Sequence, residues 1–154
     1  MEKLLYQDKT HKDIWLKLIL AIPVIIMLIL ALIYMVGNDI TTAYEMLISI
    51  VFIVAVLWFV IPRQYLIFDD KVKILLGGPF SFNISFNTIK TARIPKGTTF
   101  GINFPSSLSS KHAVEILRHR RMSVNITPDN RDLFLQTLEK AMDDWRIYQK
   151  RETR

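Results

Sequence analysis

Three arginines and a histidine stand consecutively at Arg118, His119, Arg120 and Arg121, the densest group of side chains able to bind a charged ligand. Guanidinium groups pair with carboxylates and phosphates through parallel hydrogen bonds. The cluster therefore predicts a contact with an acidic protein partner or with anionic lipid headgroups. The alternative is an ordinary solvated loop, because β-like segments flank the cluster on both sides and predict a hairpin with a charged four-residue connection.

Catalytic chemistry finds no support in the remaining polar residues. The pair Asp69 and Asp70 stands between two β-like segments and predicts a turn, and the serines of residues 106–110 have no neighbouring base. Phosphate-loop, dinucleotide, zinc-protease and serine-hydrolase motifs are all absent from the sequence. There is no cysteine, and the three histidines have no metal-site spacing. The sequence predicts a non-enzymatic protein without cofactor or metal.

The second half of the chain alternates in a way that positions the cluster on a β-rich domain. Apolar side chains recur at every second residue, the period of a half-buried strand. The predicted strands cover residues 65–68, 71–76, 80–86, 89–94, 100–104, 112–117 and 122–126. A helix is expected next, with Thr127 as its N-cap and Pro128 at its first position. Its buried face is predicted to comprise Phe134, Leu135, Leu138, Met142 and Trp145.

The first half of the chain differs from the second in being dominated by long apolar segments. Two apolar segments, at about residues 15–36 and 43–61, are each long enough to cross a hydrocarbon core of about 30 Å. Trp15 and Trp58 would lie at one interface, with Tyr34 and Tyr44 at the other. We divide the chain into a membrane anchor, residues 1–61, and a soluble domain, residues 62–154.

Basic residues predict the orientation of this anchor. Lys3, Lys9 and Lys12 precede the first segment, Lys17 lies in its first turn, and Arg63 follows the second segment, whereas the connection between the two has no Lys or Arg. The positive-inside rule predicts a multi-pass protein of the cell membrane with both termini in the cytoplasm. Residues 62–154 carry 16 Lys and Arg against nine Asp and Glu, a net charge of +7. The lipid bilayer is the expected environment, and nucleic acid is not an expected partner because no aromatic–basic strand motif is present.

The order of about seven strands and one helix resembles the bacterial pleckstrin-homology-like (PH-like) family. The resemblance rests on residues 62–70 (PRQYLIFDD) with 71–77 (KVKILLG), and on 107–110, Val114-Glu-Ile, and 124–129 (VNITPD) before Phe134 and Leu138. It implies an α+β protein: an N-terminal transmembrane helical hairpin followed by a PH-like antiparallel β-sandwich or barrel capped by a C-terminal α-helix. Phosphoinositide-binding PH domains place basic residues in and after the first hairpin turn, where this sequence has Asp69 and Asp70.

These features predict a membrane-anchored binding or adaptor module whose PH-like domain engages a protein partner or the inner membrane surface. An alternative function follows from a second resemblance, because some small membrane proteins with this type of domain are similar to bacteriocin self-immunity proteins. The basic cluster at residues 118–121 is the predicted contact in the first interpretation.

Overall fold

The computed structural model describes residues 3–11, 14–95, 101–104 and 110–152. It contains eight strands and three α-helices within these ranges. The strands are β1 (Leu4–Lys9), β2 (Gln64–Phe68), β3 (Lys71–Leu75), β4 (Ser81–Ser85), β5 (Ile89–Arg93), β6 (Gly101–Phe104), β7 (Val114–Arg118) and β8 (Arg121–Ile126). The helices are α1 (Ile14–Val36), α2 (Ile40–Val60) and α3 (Arg131–Glu152).

The helices α1 and α2 are long and apolar enough to cross a membrane, consistent with a membrane-anchored protein. Only 6% and 11% of their most apolar windows are buried, whereas a core helix of a soluble protein would be mostly buried. They pack on each other, with Ala31, Ala43 and Ile50 as the buried residues. Helix α2 begins three residues before the predicted position because the Asp39 carboxylate accepts a hydrogen bond from the Thr42 N–H at 3.2 Å and caps the helix.

The strands form two four-stranded sheets in the orders β1-β2-β3-β4 and β5-β7-β8-β6. The predicted antiparallel arrangement holds except for one pair, because β6 runs parallel to β8. Buried side chains alternate along β2 and β3, where Tyr65, Ile67, Val72 and Ile74 face the core. The described sheets face each other as a sandwich around this core and do not close into a barrel.

Strand β1 was missed by the sequence analysis, which assigned its residues to the anchor. It pairs antiparallel with β2, so that Lys9 lies opposite Gln64 and Leu4 opposite Phe68. One sheet therefore includes residues from both sides of the α1–α2 hairpin. Its Tyr6 ring contacts Phe134 of α3 with 6.3 Å between ring centroids.

Helix α3 covers the core with the side chains that the helical spacing predicts. Phe134 and Leu138 are fully buried, Met142 is nearly so, and Leu135 and Trp145 are partly buried against the same cluster. The predicted start of the helix is wrong. Thr127 and Pro128 continue the sheet region, since Pro128 bridges Thr10, and the Asn130 side chain instead accepts the Leu133 N–H at 3.2 Å.

Candidate functional site

The two sheets have two ends, which differ in what is attached to them. At the proximal end β1 finishes and β2 begins, next to the helices α1 and α2. The distal end holds the β2–β3 turn and the β7–β8 turn, about 15 Å further along the strands at the usual rise per residue. These two turns are joined by the 3-10 helix Phe86–Thr88, because its Phe86 N–H donates to the Asp70 carbonyl at 2.9 Å and its Thr88 carbonyl accepts the His119 N–H at 2.8 Å.

The basic cluster forms the β7–β8 turn at the distal end. The connection is tighter than the predicted four-residue loop, since Arg118 and Arg121 already pair across the strands and only His119 and Arg120 turn. Arg120 has a φ of 53°, in the left-handed region, and is exposed. The four predicted residues are thus brought together on one turn.

Arg118 differs from the rest of the cluster in being held by the domain itself. Its Nε donates to the Met122 carbonyl at 2.8 Å, and its guanidinium carbon lies 5.8 Å from the centroid of the Phe82 ring. Burial, together with the charge of Arg121, lowers the pKa of the Arg118 guanidinium below its usual value. The exposed members of the turn, which are available to a partner, are His119, Arg120 and Arg121.

A cavity of about 420 Å³ opens on the other side of the 3-10 helix. Asp69 and Asp70 form one wall as the predicted turn, and α3 supplies the opposite wall. The residues lining it are Leu5, Asp69, Asp70, Ala141, Asp144, Trp145, Tyr148 and Gln149. The Trp145 ring is fixed edge-on against Phe86, with 6.2 Å between centroids. We call this the acidic cavity.

The sequence analysis missed the acidic cavity because its walls are about 75 residues apart in the chain. Only α3 carried a local signal: Asp144 and Tyr148 are four residues apart and lie on one helix face beside the core residue Trp145. Carboxylates beside aromatic rings favour a cationic group such as a lysine or arginine side chain. The distal end therefore has carboxylates beside an aromatic ring on one side of the 3-10 helix and exposed cations on the other.

The three histidines are separated into two locations. His11 and His112 stack at the proximal end with ring centroids 3.8 Å apart, and His11 Nδ1 lies 2.8 Å from an oxygen of Asp129. His119 lies on the basic turn at the distal end. Within the described ranges no group of three or more His, Cys, Asp or Glu could hold a metal ion. Of the serine-rich residues 106–110, those at 106–109 lie outside the described residues, as does position 100 of the predicted strand 100–104.

Comparison with known protein families identifies the domain. A family model described as the bacterial PH domain matches residues 63–142, from the start of β2 into the second half of α3. The corresponding searches of curated proteins and of solved structures found no significant match. The matched region covers more than half of the chain and contains seven of the eight strands. The chain therefore belongs to the bacterial PH domain family, and its two apolar helices precede the matched region.

Proposed function

We propose that the protein is a non-enzymatic, membrane-anchored binding module whose domain engages a protein partner through its distal end. Membership in the bacterial PH domain family supports a binding or adaptor role in general. The observation that carries the finer proposal is the presence of opposite charges on the two sides of the 3-10 helix Phe86–Thr88. A segment of a partner protein with acidic and basic side chains at separate positions can pair with both the basic turn and the acidic cavity.

A flat anionic membrane surface is a poorer fit to the same end of the domain. It would attract Arg120 and Arg121 but repel Asp69, Asp70 and Asp144 of the acidic cavity. The distal end also lies a full strand length from the helix attachments. Both arguments favour protein over lipid as the ligand of the basic turn.

We further propose that α1 and α2 form an in-and-out hairpin with both termini in the cytoplasm. Pairing of β1 with β2 supports a hairpin, because strands of one sheet must lie on the same side of the bilayer. The side is inferred from the basic residues, since Lys9, Lys17 and Arg63 flank this end while the α1–α2 connection has none.

The test is in-cell crosslinking followed by purification of the full chain from native membranes. The full chain is needed because β1 belongs to the sheet. Arg120→Ala combined with Arg121→Ala should reduce the crosslinked partner at least fivefold, and Asp69→Asn combined with Asp70→Asn should reduce it as well.

The matched control is Lys90→Ala combined with Lys140→Ala, two exposed cations outside the distal turns. This control should retain the partner. If the Arg120 and Arg121 variant captures the same partner at the same yield as the parent protein, the distal end is not the contact. If it instead loses only its adhesion to anionic vesicles, lipid and not protein is the ligand.

A further inference from the structure

A second cavity, of about 580 Å³, lies at the proximal end where the domain meets the end of α2. Its volume is in the range of small-ligand sites. The residues that line it are Lys9 and Thr10 of the β1 end, Leu57, Trp58 and Ile61 at the end of α2, and Arg63 and Gln64 at the start of β2. We call it the junction cavity. It is separate from both features of the distal end.

Two cations are brought to the junction cavity from segments 54 residues apart. Lys9 pairs with Gln64 across the sheet, and the Thr10 N–H donates to the Arg63 carbonyl at 3.2 Å, so Lys9 and Arg63 stand on adjacent strands. The described lining includes these two cations and no carboxylate. The cavity is therefore electrostatically suited to an anion.

Arg63 is held in a geometry suited to phosphate. Its guanidinium carbon lies 3.9 Å from the centroid of the Trp58 ring, so the aromatic face fixes the plane of the guanidinium group. A fixed guanidinium plane can present two parallel N–H donors to two oxygens of one phosphate. Trp58 and Arg63 together also form the pairing expected at headgroup depth, where amphipathic rings and basic side chains collect.

We propose that the junction cavity binds the phosphate of an anionic membrane phospholipid, with Lys9 and Arg63 as the phosphate ligands. The source is inferred from the position of the cavity. Leu57 and Ile61 continue the apolar surface of α2 into its wall, which gives the acyl chains of a lipid a continuous apolar path. The inference goes beyond the proposed function, and needs only that α1 and α2 lie in a membrane.

The experiment is native mass spectrometry of the full chain in a neutral detergent, titrated with dioleoyl phosphatidylglycerol. One tightly bound lipid is expected per chain. Lys9→Gln combined with Arg63→Gln should weaken its binding about 30-fold, or about fivefold for each cation near the headgroup.

A competitor distinguishes a membrane lipid from a free phosphate compound as the ligand. A control variant distinguishes the junction cavity from a general effect of the protein's positive charge. Glycerol 3-phosphate is titrated as a competitor, and displacement of the lipid at similar concentrations would overturn the assignment to a membrane lipid. Lys90→Gln combined with Lys140→Gln removes the same charge elsewhere and should leave the bound lipid in place. Equal losses in this control would overturn the site. If the double variant at Lys9 and Arg63 does not fold, the single variant Lys9→Gln, at an exposed residue, is tested instead, and an unchanged lipid affinity in that variant would overturn the site.

Discussion

Replacing Gly77 with alanine should separate the domain from the end of α2. Gly77 is buried in the β3–β4 connection, directly against the backbone of Trp58. A methyl group added there would stand 2.6 Å from the carbonyl carbon of Trp58 and closer still to the carbonyl oxygen, although real Cβ atoms essentially never approach other heavy atoms within 3.0 Å. Both groups belong to the backbone, so no side-chain rotation can relieve the overlap.

The expected loss of stability is large because this backbone overlap cannot relax. Overpacking typically costs 1–3 kcal/mol, and an overlap between two main-chain segments belongs at the upper end, about 3 kcal/mol. For a chain of this size that loss corresponds to a fall in Tm of about 6–12 °C. The contact between Phe59 and Phe80, whose ring centroids are 5.5 Å apart, should be lost at the same time.

The assay is thermal unfolding of the purified full chain in detergent, followed by circular dichroism. Two other glycines serve as graded controls. Alanine at position 78 would have to adopt the positive φ of +66° and would displace the movable Phe59 ring, which should lower the free energy of unfolding by about 1 kcal/mol. Alanine at Gly37 meets its nearest neighbour at 3.4 Å and should change stability by less than about 0.5 kcal/mol. If Gly77→Ala unfolds at the same temperature as Gly37→Ala, the domain does not rest on the end of α2.

Three further predictions concern the domain. Phe134→Ala empties a fully buried site between Tyr6 and Tyr65 and should cost about 3–5 kcal/mol of unfolding free energy in chemical denaturation. Asn130→Ala removes the cap of α3 and should cost about 1 kcal/mol in the same assay, with Asn130→Asp retaining most of the stability; an equal loss in both variants would exclude capping as the cause. Burial raises the pKa of Tyr6, and the charge of Asp8 and a hydrogen bond to it raise that pKa further. The native state therefore favours the protonated phenol. The resulting stabilisation is fully present below pH 10 and is lost as the pH rises through the pKa of the folded state. From pH 8 to 11.5 the parent protein should therefore lose stability relative to Tyr6→Phe as the pH rises above 10, and parallel stability curves would contradict that sign.

The parts of the fold predicted from sequence are those with a local period. Alternation in residues 71–76 predicts one buried face with Val72, Ile74 and Leu76, of which Val72 and Ile74 are fully buried and Leu76 partly so, and the helical spacing after Asn130 identifies the buried face of α3. Strand direction has no such signal, since alternation is the same in parallel and antiparallel strands. The parallel pairing of β6 with β8 was unpredictable for that reason.

The misplaced start of α3 reflects a competition between two local signals. Thr127 and Pro128 match the preferred cap and first residue of a helix. In the structure the Thr127 N–H instead donates to the Tyr65 hydroxyl at 3.3 Å and Pro128 bridges Thr10, so tertiary contacts hold both residues with the sheet. The Asp129 carboxylate contacts His11, and Asn130 is the residue whose side chain caps the helix.

The candidate sites also differ in whether a local sequence signal predicts them. The basic turn is contiguous in the sequence and could be found there, whereas both cavities join segments far apart in the chain. For the junction cavity, Lys9 and Thr10 are separated from Arg63 by the whole helical hairpin. Only the pairing of β1 with β2 brings them together, and β1 itself shows no alternation strong enough to predict it: Tyr6 and Asp8 are only half-buried and the rest of the strand is exposed.

Strand β1 also imposes an order on biosynthesis. It is made 54 residues before β2, a delay of about 3–11 s at ordinary rates of translation. Through that interval it has no partner strand, and in the proposed in-and-out hairpin both apolar helices enter the bilayer before β2 can pair with β1. If only one of the two inserted, β1 and β2 would emerge on opposite sides and could not share hydrogen bonds. Completion of the sheet thus depends on correct insertion of the hairpin, and a misinserted chain would keep an incomplete domain that quality-control proteases can recognise.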